Sequence, residues 1–467
     1  MTTDTHLPVP STRPRVEGFR GEVVVPGDPS YDAARRVWNH AIDRYPSLVL
    51  RCHDTDDVRA AVAHARAHGL VVAVRAGGHS MAGLGVCDDG VVVDLSPMKG
   101  IAVDPARRIA TVEPGVIWRE LDAATQEHGL AVPGGEVSDT GVAGLTLGGG
   151  IGWLGRTHGL ACDNLRAVTM VTAEGRVVRA SATEHPELFW AVRGAGANFG
   201  VVTALELDLH PVGPVLWGGE VIHPGARDVE ALRSLVDLAG RVPEETRLMA
   251  ALVTAPDAPF VPPEAVGSPV CVLAGAHCGA VEEGRATLAP LQATGPVVDT
   301  LRELSYVELQ QVVDKTLPPA RRAYVKSDFL GPLDDDALTV LADWHHRASS
   351  PHCQLLLHQL GGALDREPEG GTAYPARGAA WMVTAVAIWL DPEESPEPHV
   401  AWARGVWEAL RPWSVGTYVN HLGDEGADRV REAYGASYER LVALKQEWDR
   451  DNVFRLNQNL APCPRLA

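Results

Sequence analysis

The chain has 467 residues, 45% of them hydrophobic and 22% charged, the balance of a soluble globular protein with two or three domains. A formal net charge of −19 excludes general affinity for nucleic acid or an anionic membrane surface. The 47 glycines and 34 prolines exceed average usage, so where they sit is the first question.

Residues 1–20 are polar and proline-rich, with no apolar core after a basic start, so no secretory signal is expected. A helix is expected over 31–45 and a strand over 48–52. Asp54 or Thr55 then caps a helix with apolar residues at Val58, Ala61, Val62 and Ala65, stopped by Gly69. Strands follow over 70–75, 91–95 and 108–112, then a helix over 116–128. Residues 167–172 and 177–181 flank Glu174-Gly175 as a hairpin, 186–192 form a short helix, and 201–209 alternate as a strand. Beyond Pro211 and Pro214, strand-like runs (215–222, 247–254, 269–277, 353–360, 380–390) alternate with helical ones (226–241, 280–292, 336–349, 397–410), a sheet covered by helices on one side. A helical tail is expected over 427–449. The longest apolar run, Trp381–Leu390, is half a membrane span, so a soluble cytoplasmic protein is expected.

Ten glycines crowd residues 134–159, and a second group (Gly77, Gly78, Gly83, Gly85, Gly90) follows the strand ending at Arg75. Glycine at this density lets backbone approach a ligand and turn amides toward an anion, so two such loops suggest a bound diphosphate. Gly150-x-Gly152-x-x-Gly155 matches the dinucleotide fingerprint, but a loop precedes it where the fingerprint needs a strand. Cysteine arithmetic gives no metal site: the seven cysteines (52, 87, 162, 271, 278, 353 and 463) contain no Cys-x-x-Cys pair, and six read as small buried hydrophobes. His79, in the loop Arg75-Ala76-Gly77-Gly78-His79-Ser80, and Cys162 are nucleophiles able to attach to an electrophilic cofactor.

The RAGGHS loop, the stretch EVSDTGVAGLTLGGGIGWLGRTHGLACDNL (136–165), YVNHLGDEG (418–426) and WDRDNVFRLNQNL (448–460) resemble the berberine-bridge-enzyme-like oxidases of the vanillyl-alcohol-oxidase superfamily, over residues 40–462. The resemblance implies an α+β fold: a two-subdomain PCMH-type FAD-binding domain (41–212) after an N-terminal segment (1–40), a substrate domain with an antiparallel sheet covered by helices (213–417), and a C-terminal segment (418–467) returning to the flavin. It implies FAD joined to both His79 and Cys162. It further implies a cofactor cradle of Arg75, Ala76, Gly77, Gly78, Ser80, Met81, Gly134, Val137, Gly141, Gly144, Gly148, Gly149, Gly150 and Gly152, with Val202 toward the adenine and Tyr418, Asn420 and Asn457 beside the cofactor. Arg75 stands out as the cation for the diphosphate.

The activity so implied is hydride transfer from a secondary alcohol or hemiacetal of a bulky small molecule, such as a natural-product intermediate in antibiotic biosynthesis, with O₂ returning H₂O₂. A sugar or oligosaccharide oxidase and an FAD dehydrogenase with another acceptor are the alternatives. Partners are the small substrate and O₂, with no nucleic acid or membrane, and a monomer or homodimer. Tyr418 is the first candidate for the base, although a phenol needs a depressed pKa to act so; packing against the flavin edge is its other reading. His421 stands where the family commonly has an aromatic residue and has the better pKa for a base. The strand 381–389 carries no acid, which argues against bridge-forming chemistry; its face with Trp381, Val383, Ala385, Ala387 and Trp389 either lines an apolar pocket or is core. Trp153, Trp344, Trp402, Trp407 and Trp413 are candidates for stacking a substrate ring.

Overall fold

The computed structural model describes residues 14–258, 261–423 and 425–462. Cys463 and residues 1–13 lie outside the described residues. Three large sheets organise the chain, beside a two-stranded pair of Leu130–Ala131 with His210–Pro211. The first runs Glu22–Val24, Leu48–Arg51, Val91–Asp94, Val72–Arg75, antiparallel at the first pairing and parallel at the other two. Both of its faces are covered, which is why its parallel strands read as unbroken apolar runs. Leu48, Leu50, Val72, Val91 and Val93 pack under helix Thr55–Ala67, while Val49, Ala73 and Val92 pack on Tyr31, Ala34 and Val86. Asp54 caps that helix by accepting from the Asp57 amide.

The second sheet is antiparallel, in the order Ile101–Asp104, Ile109–Val112, Val201–Asp208, Leu165–Val171, Val177–Ser181. The 165–181 hairpin forms as its pattern predicts. Leu205 and Leu207 of its central strand join a core with Trp118, Leu121, Phe189 and the C-terminal helices Ala427–Tyr434 and Tyr438–Trp448. Those two helices replace the single expected tail helix because Gly435 takes φ +46 between them.

The third sheet has nine strands and pairs antiparallel throughout its described registers. Helices Asp228–Ala239, Val281–Ala293, Asp335–His345 and Glu397–Ala409 cover one face, burying Leu232, Leu235, Leu288, Leu338, Trp402 and Val406 against Leu248, Leu273, Leu355 and Val383. The other face turns toward the first two sheets. One strand here, Arg322–Leu330, is absent from the sequence reading. Its Lys326 and Asp328 break the apolar pattern but are paired, Lys326 with Glu425 at 2.6 Å and Asp328 with Arg429 and with the Trp407 indole at 3.0 Å.

The expected helix over 31–45 stops at Arg35. Beyond it the backbone bonds to distant loops, Trp38 N to Gly78 O and His40 N to Arg321 O, and so leaves the helical ladder. No helix among the described residues is long and apolar enough to cross a membrane.

Candidate active site

Where the three sheets meet lies a cavity of about 380 Å³, lined from the first sheet by Val72, Val74 and Leu95, from the second by Val202 and from the third by Gln354, Leu356, His358, Met382, Thr384 and Val386. The loop after the parallel strand contributes Arg75 through Met81 to this wall, and the glycine-rich stretch contributes Val137, Gly141, Gly144 and Gly148. Tyr418, Asn420, His421 and Asn457 reach it from the C-terminal segment.

The glycines divide into two groups. At Gly77 and Gly141 the two loops touch backbone to backbone, and a Cβ on Gly77 would lie 2.5 Å from Gly141 Cα. Gly144, in the short helix Val142–Leu147, has nothing within 4 Å of where its Cβ would be, so that side of the helix is open. Gly134, Gly149, Gly150 and Gly152 are not on the cavity wall but behind it. A Cβ on Gly134 would meet the Trp118 ring at 2.6 Å, and one on Gly152 would meet Gly134 O at 2.1 Å. Gly149 accepts from Cys162 N, and Gly150 donates its amide to Tyr418 Oη. The segment before Gly150 is helix and turn, which disposes of the dinucleotide fingerprint.

Two expectations shift at the charged and nucleophilic positions. Arg75 lines the cavity, but its guanidinium is bound to Asp94 (Nη2 to Oδ2, 2.7 Å) and to Arg36 O, so it carries no spare charge for a diphosphate. Cys162 is fully enclosed and off the cavity wall, in a cluster with Ile151, Leu160, Phe329, Tyr374, Met382 and Tyr418. Burial pushes its thiol well above the ordinary range, opposite to what a nucleophilic cysteine needs. His79, by contrast, lines the cavity. Its ring lies 4.7 Å from that of Trp38, and its Nε2 is 3.2 Å from Asp139 Oδ1.

Tyr418 Oη accepts from Gly150 N and from Asn420 Nδ2, both at 2.9 Å. Burial raises its pKa to about 12 against the lowering effect of those bonds. With its acceptor sites filled, the phenol is left to donate its proton. His421 packs edge-on to Tyr418 with centroids 4.9 Å apart, and its Nδ1 has no hydrogen-bond partner. Burial pushes its pKa down to about 4, assisted by His358 and opposed by Glu136. It is therefore neutral at pH 7 with an open acceptor position at Nδ1, but a weaker base than an exposed imidazole.

Several wall residues are missing from the sequence reading. Glu136 is paired with Arg247 (2.5 Å) and His358 (3.2 Å). Burial alone would raise its pKa, but Arg247 and then His358 override this and bring it to about 2. His358 and Gln354 share strand parity with Leu356, the signal that was available in Gln354–Gln359. On the neighbouring strand the lining face is Met382, Thr384 and Val386. The face with Trp381, Val383, Ala385 and Ala387 is core beneath the helices, so of its two readings the core one holds. None of the five candidate tryptophans lines the cavity; Trp38 does.

The wall fits FAD. It has bare backbone at Gly77, Gly141 and Gly148, an opening at Gly144, and buried polar atoms without partners at His421 Nδ1 and Asn457 Oδ1. Amides of the two glycine loops would hold the diphosphate, and Val202 and Asn457 would flank the other end.

Comparison with known proteins agrees. Residues 46–181 match the FAD binding domain family and residues 417–461 the berberine and berberine-like family. An FAD-linked oxidoreductase of Dictyostelium discoideum is 32% identical over 96% of each chain. The (R)-6-hydroxynicotine oxidase of Paenarthrobacter nicotinovorans is 32% identical over 95% of this chain and 97% of its own. The crystal structure of 6-hydroxy-D-nicotine oxidase from Arthrobacter nicotinovorans superposes with a TM-score of 0.87 at 30% identity, covering 95% of this chain and 98% of that one. The carbohydrate oxidase of Microdochium nivale superposes with a TM-score of 0.81 at 26% identity, covering 95% and 98%. With its cradle, its three-sheet architecture and these full-length likenesses, the chain belongs to the berberine-bridge-enzyme-like FAD-linked oxidoreductases.

Proposed function

We propose that the chain is an FAD-dependent oxidase that takes hydride from the carbinol carbon of a neutral, largely apolar small molecule, a secondary alcohol or hemiacetal, with the flavin joined to His79 alone. Bound FAD supplies the hydride acceptor at N5 and returns the electrons to O₂ as H₂O₂. His421 takes the hydroxyl proton as the carbonyl forms, and Tyr418 donates a hydrogen bond beside it. The observation that carries the reading is the His421 imidazole, its Nδ1 without a hydrogen-bond partner, on the same cavity wall as His79 and the glycine loops. Among the described lining residues the one carboxylate is Glu136, which Arg247 matches, and Arg75 is matched by Asp94. No formal charge is left over to hold a charged substrate, and Met249, Leu356, Met382 and Val386 offer an apolar body its contacts. The enclosure of Cys162 supports a single attachment point.

The test is peroxide release and anaerobic flavin reduction with 1-phenylethanol, lactols, oligosaccharides and (R)-6-hydroxynicotine. Neutral secondary alcohols or lactols should reduce the flavin, and His421→Gln should slow that reduction about a hundredfold. Tyr418→Phe should cost less. Turnover confined to the amine, or an undiminished rate in His421→Gln, would overturn the reading.

A further inference from the structure

We propose that Asp139 is the positioning residue for covalent attachment of FAD to His79: its carboxylate orients the imidazole and receives the proton the ring gives up as the bond forms. The inference rests on the attachment reading above.

Asp139 and His79 come from the two glycine loops that touch at Gly77 and Gly141, so the fold brings them together. His79 Nε2 and Asp139 Oδ1 are 3.2 Å apart; these two atoms are shielded from solvent and have no other hydrogen-bond partner, while the rest of the Asp139 side chain is 41% exposed. The Trp38 ring lies against the imidazole, tilted by 38° with the centroids 4.7 Å apart. Arg321 completes the group, its guanidinium 4.3 Å from the Trp38 centroid and its Nη2 3.9 Å from Asp139 Oδ2. The contact with His79 holds the Asp139 carboxyl below its ordinary range against burial, with Arg321 adding to the effect, so it is ionised when it faces the ring. A carboxylate on Nε2–H leaves Nδ1 with the lone pair and stabilises positive charge arriving on the ring, as in carboxylate–histidine pairs at metal and acyl-transfer sites.

The step balances with O₂ as oxidant. The imidazole Nδ1 bonds to the 8α-methyl carbon of bound FAD as one methyl C–H breaks, and the electron pair passes to the isoalloxazine. The ring N–H proton moves to Asp139. O₂ takes the two electrons and the two released protons as H₂O₂, leaving oxidised, attached flavin.

Wild type, Asp139→Asn, Asp139→Glu and His79→Ala would be made in FAD-replete cells. Total flavin in the folded protein is then compared with flavin retained after acid precipitation, over a time course following a pulse of synthesis. Wild type should become fully acid-stable, and His79→Ala should bind FAD but release all of it. Asp139→Asn should bind FAD with attachment slowed about a hundredfold, and Asp139→Glu should restore much of the rate. Attachment at the wild-type rate in Asp139→Asn would overturn the proposal. So would loss of FAD binding in both Asp139 variants, which marks a structural role. Wild type without acid-stable flavin would instead overturn the attachment reading itself, a different result from either.

Discussion

Tyr418 and His421 share one short turn, yet burial moves them in opposite directions, because it penalises whichever form carries charge. For the phenol that form is the deprotonated one, and its pKa rises to about 12. For the imidazole it is the protonated one, and its pKa falls to about 4. The same environment keeps both groups neutral, and because two donors fill Tyr418 Oη while His421 Nδ1 has no partner, the base reading moves from Tyr418 to His421. Glu136 gives a prediction of opposite sign to a buried histidine. Its folded pKa of about 2 lies below its ordinary 4.5, so its contribution is complete above about pH 4.5 and drains away as pH falls toward 2. Glu136→Gln should therefore cost about 3 kcal/mol at pH 7. The gap from wild type should narrow in urea melts at pH 3; an unchanged gap would contradict the ion-pair account. The chemistry of His79 and His421 is legible in the sequence because each sits in a dense local motif. Glu136 and His358 are not, since 222 residues separate them and no local pattern pairs them.

At the scale of elements, strand parity decides what faces the cofactor. Period-2 alternation is visible in Gln354–Gln359 and Trp381–Trp389, but an apolar strand buried on both sides does not announce which face is core, so the face with Trp381 and Val383 is left open between pocket and core until the packing shows it is core. Arg322–Leu330 escapes detection because its charges find partners on the C-terminal segment, information that no window around the strand contains. The glycine loops are more legible, since their density is a local property, although only some of them line the cavity. Gly144→Ala tests the cradle. The added methyl meets no protein atom and improves helix propensity, so thermal stability should hold or rise by up to about 1 kcal/mol while bound flavin falls. Gly148→Ala places its Cβ 2.0 Å from Asn420 Oδ1 and should lose both stability and flavin. Equal flavin content in Gly144→Ala and wild type would remove the helix from the cofactor wall.

At the scale of the whole molecule, the site exists only where three separately built sheets converge, and the C-terminal helices close it. Lys445, fully buried, ties that segment down by donating to Asn198 O, Asp449 and Phe454 O. Breaking this anchor with Lys445→Ala should cost about 3–5 kcal/mol and open residues near Phe454 to limited proteolysis. Unchanged melting and cleavage would show that the segment is held elsewhere. The acidic surface and the charge-matched cavity are independent features: the net charge of −19 excludes polyanions, while Arg247 and Asp94 leave the cavity wall without spare charge. The most direct measurement of the central claim is peptide mass spectrometry of the acid-denatured, protease-digested protein. The account predicts one flavin-bearing peptide, containing His79, with Cys162 recovered as a free thiol. Flavin bridging His79 and Cys162, or a colourless precipitate with all FAD in the supernatant, would contradict it.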